Sequence, residues 1–520
     1  MEHFCEKKEQ KKKVAFLTLG CKVNSYETNA MEQLFVEAGY QLVDFQKEAD
    51  IYVINTCTVT NMADRKSRQM LHKAKKLNPN GVIVAVGCYV QASFEEAKKD
   101  EAIDVIIGNN QKKQIVSIVE EYQKVKIQKE DKNRVNKEIQ NKTEEHQAIH
   151  NEVIQHESIQ NKKENKELQK VEMGQSKDNV ELEKAEFNSL LDMRKIQEYE
   201  ELSIENAGEK TRAYIKIQDG CNQFCSYCII PYVRGRIRSR NEEDILSEVK
   251  RLAERGYKEV VLTGIHLSSY GVDLEGEKNF VALEGKPLLS IIKKVSEVPS
   301  IERIRLGSLE PRIVTENFAE QLAKIKKVCP HFHLSLQSGC DETLKRMNRK
   351  YTSKEYKKGC DILRKYFENP AITTDVIVGF PEETNEEFEI TKAFLKEIAF
   401  SDVHIFKYSM RKGTVAAKNP KQVSESVKQE RSSQLIALGK EMQYAYEQLF
   451  IGKREKVLIE ETIAIEGKEY FVGHNERYVK LVIEKQAEQE ELHNEIVVVH
   501  VVESIGENML LGKYVDVNSV

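Results

Sequence analysis

Short apolar runs alternate with amphipathic stretches along residues 14–110, where VAFLTLGC, ADIYVINTC, GVIVAVGC and AIDVIIG are separated by segments such as SYETNAMEQLFVEAG and ADRKSRQMLHKAKKLNP. Runs of this length read as buried strands and the 3.6-residue periodicity between them as helices, so the pattern predicts a βαβαβ domain with a parallel sheet. Residues 119–206 change character to Lys, Glu, Gln and Asn, with no aromatic residue between Tyr122 and Phe187 and with IQNK repeated at 139–142 and 159–162. Such a stretch buries too little apolar surface to offset its ordering entropy, and a disordered or transiently helical linker is expected.

Alternation resumes over 207–410 with AYIKIQ, EVVLTG, IRLGS, HFHLSLQ, ITTDVIVG and DVHIFKYS, the first five each followed by a loop and helix-like residues. Six β/α units at this spacing predict a barrel or partial barrel, whose functional loops lie at the C-terminal ends of the strands. After a polar helical connector, REKVLIEE, EYFVGH, YVKLVIE and EIVVVHVVES predict a small antiparallel β-barrel. The expected organisation is multidomain α/β, with domains at 12–118, 207–437 and 440–516 and the polar insertion at 119–206.

Composition narrows the chemistry. The 80 Lys and Arg against 84 Asp and Glu leave a net charge of −4, so no overall basic field advertises nucleic-acid binding, and any RNA contact must be local. In the C-terminal barrel acids outnumber bases, although Lys453, Arg454 and Lys456 make a local basic patch. The start of the chain has no apolar core of a signal peptide, and no stretch approaches eighteen apolar residues, so a soluble cytoplasmic protein without membrane contact is expected. Ten cysteines in that compartment read as metal or catalytic ligands.

Two cysteine sets stand out. Cys221, Cys225 and Cys228 form CxxxCxxC directly after the strand AYIKIQ. Three thiolates fill three corners of an iron–sulfur cluster and leave one iron open to a substrate. Zinc is the alternative, but a structural zinc takes a fourth protein ligand. Cys21, Cys57 and Cys88 each end a predicted strand of the first domain, and the carboxyl ends of parallel strands share one edge, where ligands collect. Three unrelated buried thiols would be the bland reading. Cys5, Cys329, Cys340 and Cys360 have no partner at ligand spacing and read as ordinary thiols.

CNQFCSYC resembles the radical S-adenosylmethionine (SAM) signature, and the chain outside 119–206 is similar to the methylthiotransferase family, its C-terminal barrel resembling a TRAM domain. TLGCKVNSYET and QDGCNQFCSYCIIPYVRGRIRSR look most like the MtaB type of that family. The resemblance implies a radical SAM domain with a partial (β/α)6 TIM-like barrel. It implies an enzyme that methylthiolates C2 of N6-threonylcarbamoyladenosine at position 37 of tRNA, beside the anticodon. Two [4Fe–4S] clusters are implied, one on Cys221, Cys225 and Cys228 as radical generator and one on Cys21, Cys57 and Cys88 as sulfur carrier. Two SAM molecules are consumed per turnover on that reading, because an unactivated ring carbon is beyond any side-chain base. An electron-donor protein such as flavodoxin or ferredoxin, a sulfur donor and a monomeric chain are also expected.

The same resemblance implies SAM contacts from Gly264, Ser308, Glu310, Gln337 and Asp375, with turn or capping chemistry as the alternative for each. Arg234, Arg236, Arg238, Arg240, Arg346 and Arg349 are candidates for anticodon-loop phosphates, or else a solvated face. Asn24 and Asn55 stand beside Cys21 and Cys57, suited to hydrogen-bonding cluster sulfurs or satisfying a turn. The related loop reads GFPGET, whereas here Glu382 replaces its second glycine, which implies strain if the position needs a positive φ. Within the family, isopentenyl-adenosine in tRNA or an aspartate of a ribosomal protein are the rival targets. An iron–sulfur electron carrier or an RNA-binding scaffold would need no SAM-binding barrel.

Overall fold

A computed structural model of the chain describes residues 11–157, 190–205, 211–274, 283–485 and 492–515. Cys5 lies outside them, as does most of the second half of the expected linker.

The first domain is a five-stranded sheet in the order β2-β1-β3-β4-β5, with β1 Lys13–Thr18, β2 Gln41–Val43, β3 Ile51–Thr56, β4 Val82–Gly87 and β5 Val105–Ile107, all pairs parallel. Every residue of β3 and β4 is buried, because helices cover both faces and two separate apolar clusters fill the layers. The strand order reverses between β1 and β3, and in open sheets of this order that switch point is where ligands bind. Helix α1, Lys22–Glu37, starts there with Cys21 as its N-cap.

The second domain carries β6 Arg212–Asp219, β7 Arg238–Ser239, β8 Glu259–Gly264, β9 Arg303–Leu306, β10 His331–His333, β11 Ala371–Val378 and β12 Asp402–Lys407. They form sheets ordered β7-β6-β8-β9 and β10-β11-β12, joined by the bridges Ile304↔Val328 and Leu309↔Leu334 into one open barrel wall. Six strands run parallel; β7 is a two-residue antiparallel addition to β6.

The third domain is a closed barrel, β13-β14-β15-β17-β16, from β13 Arg454–Ile465, β14 Lys468–Asn475, β15 Lys480–Glu484, β16 Ile496–Ser504 and β17 Leu510–Tyr514. It is not purely antiparallel as expected, since closure is made by a parallel β15–β17 pair. It docks on the bottom of the second domain, where the first residues of β6, β8, β9 and β10 lie. Arg303 donates to the carbonyls of His474 at 3.1 Å and Lys456 at 2.8 Å, and Arg305 to that of Glu476 at 3.0 Å. The Tyr478 ring stacks on His331 and His474 and lies under the guanidiniums of Arg212 and Arg305.

The expected linker is not spacer throughout. Its beginning continues a helix spanning Ile115–Glu157, and residues 190–205 pack between the first two domains. Leu202 and Ile204 join the barrel core, the Leu202 carbonyl accepts from Tyr26 Oη at 2.5 Å, and the Ile204 amide donates to Glu248 at 2.5 Å. Three buried apolar residues, Met193, Leu202 and Ile204, suffice to anchor a segment whose composition is otherwise polar.

Candidate iron–sulfur and cofactor site

Cys57 directly follows β3, Cys88 directly follows β4, and Cys21 sits three residues beyond β1, so the strand ends carry all three thiols just past their last residues. Gly20 makes the approach possible: at φ +104°, a Cβ there would lie 2.9 Å from both Cβ and Sγ of Cys57. Burial first, and then the neighbouring Cys88 and Cys21, push the Cys57 thiol up to about 11. Cys21 keeps accessible surface, yet the surrounding protein raises its thiol pKa too. Asn24 is the clamp of this edge: its Nδ2 donates to the carbonyls of Leu19 at 2.7 Å and Thr56 at 3.0 Å, and its Oδ1 stands 3.8 Å from Cys21 Sγ. Asn55 instead bonds the Asn24 carbonyl and Thr28, the turn-satisfying alternative.

The second triplet follows β6. Gly220, at φ +71°, allows the loop to fold under the following strand, since a Cβ would fall 1.8 Å from the Arg236 carbonyl oxygen. The Cys221 amide then bonds the Gly235 carbonyl at 3.1 Å, and the Cys228 amide bonds that of Cys225 at 3.0 Å. Phe224 takes a positive φ of 50°, pinned through its carbonyl by Asn348 Nδ2 at 2.8 Å. Burial is the first cause that pushes Cys221 up to about 12 and Cys228 higher still.

Neither triplet converges on a point. Among the described residues, His333, Asp375 and His404 are the group of three possible ligands with atoms mutually within 4.8 Å. A tetrahedral zinc with bonds of about 2.3 Å draws its sulfurs to roughly 3.8 Å from one another. The thiolates of a [4Fe–4S] cluster bind separate irons and need not approach one another that closely. Two orphaned polar atoms beside the second triplet fit a polar cofactor. His266 Nε2 and Glu310 Oε2 are buried without a hydrogen-bond partner, while their other atoms are fixed by Ser269 at 2.7 Å and Arg312 at 2.6 Å. Ser308 is exposed two residues before Glu310. Gln337 holds φ +72° and joins β11 through its backbone, its amide bonding the Asp375 carbonyl at 2.8 Å. At Gly264 close packing is what the structure shows, since a Cβ there would meet Gln218 at 2.8 Å. Asp375 lies mid-strand in β11 rather than in a loop at the strand's end, and its carboxylate faces His333 Nε2 at 3.3 Å.

The arginines are where the sequence reading needs most correction. Arg234, Arg238 and Arg240 are 0%, 1% and 2% exposed, so they cannot meet a phosphate. Arg234 crosses the domain boundary instead: Nε donates to Cys88 Sγ at 3.3 Å, one terminal nitrogen to Glu27 at 2.8 Å and the other to Asn24 at 2.8 Å. Glu27 also accepts Lys216 at 2.8 Å and lies 3.3 Å from Lys112, and Asp219 takes Lys216 at 2.7 Å and Arg234 at 3.2 Å. Burial alone would raise the Glu27 carboxyl, but Arg234, Lys112 and Lys216 outweigh it and hold it well below the carboxylate range. Arg238 donates to the carbonyls of Arg234 and Arg236, and Arg240 pairs with Glu248. Arg349 donates to Cys225 Sγ at 3.3 Å and to the Ser335 carbonyl at 3.1 Å, and Arg346 forks onto Glu387 at 2.9 and 2.6 Å. Only Arg236 of the six is exposed, its guanidinium 4.6 Å above the Phe224 ring.

Arg411, which the sequence reading missed, clamps the loop after Cys57 through Thr58 at 2.6 Å, Asn61 at 2.8 Å and Asp64 at 2.6 Å. Its long-range partners left no local signal.

Residues 215–395 match the Radical SAM superfamily, and residues 13–108 match the uncharacterized protein family UPF0004. The chain is 37% identical over 470 residues to the threonylcarbamoyladenosine tRNA methylthiotransferase MtaB of Bacillus subtilis, covering 90% of each. It is 32% identical to the MtaB of Thermotoga maritima, covering 90% of this chain and 91% of that one. It is also 32% identical over 455 residues to a tRNA-2-methylthio-N6-dimethylallyladenosine synthase of Clostridium botulinum, covering 86% and 85%. In fold it is similar to the radical SAM methyltransferase TsrM of Kitasatospora setae, solved with cobalamin and a [4Fe–4S] cluster, at a TM-score of 0.50 and 13% identity over 78% of this chain and 74% of that one. The chain belongs to the radical SAM methylthiotransferase family, and within it to the MtaB type. It is therefore a radical SAM enzyme, built for SAM and a [4Fe–4S] cluster.

Proposed function

We propose that this enzyme methylthiolates C2 of N6-threonylcarbamoyladenosine at position 37 of tRNA, with one [4Fe–4S] cluster on Cys221, Cys225 and Cys228 and a second on Cys21, Cys57 and Cys88. The similarity to relatives bearing that activity in their names, over nine-tenths of both chains, supports the substrate. Arg234 supports the pairing of the two sites, because one guanidinium reaches a cysteine of the first domain from the loop that follows the second triplet. When bound, the clusters and SAM supply the carbon radical and the sulfur, chemistry that no side chain here can perform.

The protein's part is position. Gly20 and Gly220 let the cysteine loops close, Asn24 and Arg411 fix the loops around Cys21 and Cys57, and Arg349 restrains Cys225. His266 and Glu310 are left with free polar atoms to orient SAM, with Ser308 and Gln337 at the same rim. Raised thiol pKa values mean that the cysteines bind iron only by releasing protons. Exposed Arg236, Lys453, Arg454 and Lys456 remain available to tRNA phosphates. An electron-donor protein such as flavodoxin or ferredoxin and a sulfur donor complete the reaction, and the chain works as a cytoplasmic monomer. Among the described residues no helix is long and apolar enough to cross a membrane.

Mass spectrometry of tRNA nucleosides from cells with and without the gene tests the substrate. Loss of 2-methylthio-N6-threonylcarbamoyladenosine on deletion is expected. Its persistence, in cells with no redundant enzyme, would refute the assignment.

A further inference from the structure

Two histidines and an aspartate share the inner face of the second domain. On β10, β11 and β12 the residues Phe332, Ile372, Val376 and Val403 belong to the core under the helices. With a side-chain period of two, His333, Asp375 and His404 therefore face the other way, into the barrel. The ladder sets Asp375 beside His404, and His333 beside Thr373 on the same strand as Asp375.

Their spacing is that of ligands to one ion. His333 Nε2 stands 3.3 Å from Asp375 Oδ2, and the ligand atoms of all three residues lie within 4.8 Å of one another. Donors about 2.1 Å from a tetrahedral ion are separated by roughly 3.4 Å, so the first pair is already in place. His404 is exposed on the edge strand β12, and its ring has room to turn and close the remaining gap.

The surrounding contacts suit the same ion. His333 Nδ1 is held by Thr373 Oγ1 at 3.0 Å, which leaves Nε2 free to ligate, and Asp402 faces His404 Nδ1 at 3.6 Å. A hydroxyl or carboxylate behind an imidazole is what orients a metal-binding histidine. The charge is unmet without a cation. Among the described residues no lysine or arginine pairs with Asp375 or Asp402, whereas Glu259 on β8 is taken by Arg305 at 2.9 Å. The two imidazoles cannot both supply the missing charge, since their rings stack with centroids 6.0 Å apart and two protonated rings would repel.

We infer that His333, Asp375 and His404 form a zinc site that uses none of the cysteines and keeps its fourth position open to the barrel interior. Two imidazoles and one carboxylate are a set that zinc takes with one position left for water or substrate. Nitrogen and oxygen donors hold zinc more tightly than ferrous iron, the metal the cysteine clusters require. Asp375 thereby has a different task from the SAM contact expected from the sequence.

Zinc itself is the probe. Anaerobically cluster-loaded protein is equilibrated with micromolar zinc, its bound zinc and iron are counted, and zinc X-ray absorption reads the ligands. One zinc per chain is expected, with nitrogen and oxygen at about 2.0–2.1 Å and no sulfur at about 2.3 Å. His404→Ala and Asp375→Asn, at the iron content of wild type, are expected to bind zinc roughly tenfold or more weakly, at least the cost of losing a group that only orients a ligand. Sulfur around the zinc would mean that it occupies an underfilled cysteine triplet and would overturn the site. So would protein that holds no zinc, or His404→Ala that binds it as tightly as wild type. The wild-type spectrum needs no variant, so a poorly folded one does not shield the inference.

Discussion

Arg234 Nε lies 3.3 Å from Cys88 Sγ, so a side chain from one domain touches a cysteine of the other while its remaining nitrogens hold Glu27 and Asp219. All of these side chains are buried, and a guanidinium in that position fixes the two domains and the two cysteine loops at once. Removing it leaves two buried carboxylates short of their bridging cation, with Lys216 shared between them and Lys112 beside Glu27. Arg234→Met is expected to lower stability by about 3–5 kcal/mol, the cost of breaking a buried ion pair from one side. Arg234→Lys keeps the charge but cannot reach sulfur, Glu27 and Asn24 together, and should recover only part of it. Urea titration of the wild type and both variants checks the order.

Docking of the third domain should weaken in acid. Burial would raise the Glu460 carboxyl, but His474 and Arg212 outweigh it and bring it down to about 2, against an ordinary value of 4.5. A depressed carboxyl stabilises the fold fully above its unfolded pKa, so the contribution is intact above about pH 4.5 and is lost as pH falls toward 2. Its upper size is about 3 kcal/mol. The difference in thermal midpoint between wild type and Glu460→Gln is expected to be greatest near neutral pH and to vanish by about pH 2. A difference independent of pH would reject this role for the charge.

Glu382 holds φ at +67°, with its amide on the Lys421 carbonyl at 3.0 Å and its carboxylate 3.3 Å from the Lys421 ammonium. The left-handed region costs an L-residue roughly 1–2 kcal/mol, and the exposed ion pair returns little of it. Glycine relieves that strain but adds unfolded-state freedom, so Glu382→Gly is expected to stabilise by about 0.5–1 kcal/mol. Denaturant midpoints at constant slope measure it; a loss of stability would mean the side chain holds the loop.

The strands and both cysteine triplets were legible because each is a local pattern: an apolar run, a fixed spacing, a cysteine at a strand end. The φ of Glu382 was legible in the same way, as a non-glycine residue in a loop that otherwise resembles GFPGET. The arginines were not. Arg234, Arg238 and Arg240 alternate in a basic stretch that resembles a phosphate-binding face, but the acids that neutralise Arg234 and Arg240 include Glu27, 207 positions away, and Glu248 on a helix that the periodicity alone does not orient. Charge is visible in a sequence; burial of charge is a property of the fold. Residues 190–205 escaped notice for the opposite reason, since three scattered buried apolar side chains leave no periodic signal in a polar tract.

The central claim is that this chain carries two clusters on six cysteines, and iron counting after anaerobic reconstitution tests it most directly. The account predicts about eight irons per chain, falling to about four when Cys21, Cys57 and Cys88 are replaced by alanine and to about four when Cys221, Cys225 and Cys228 are. About four irons in the wild type, unchanged by loss of the first triplet, would contradict it.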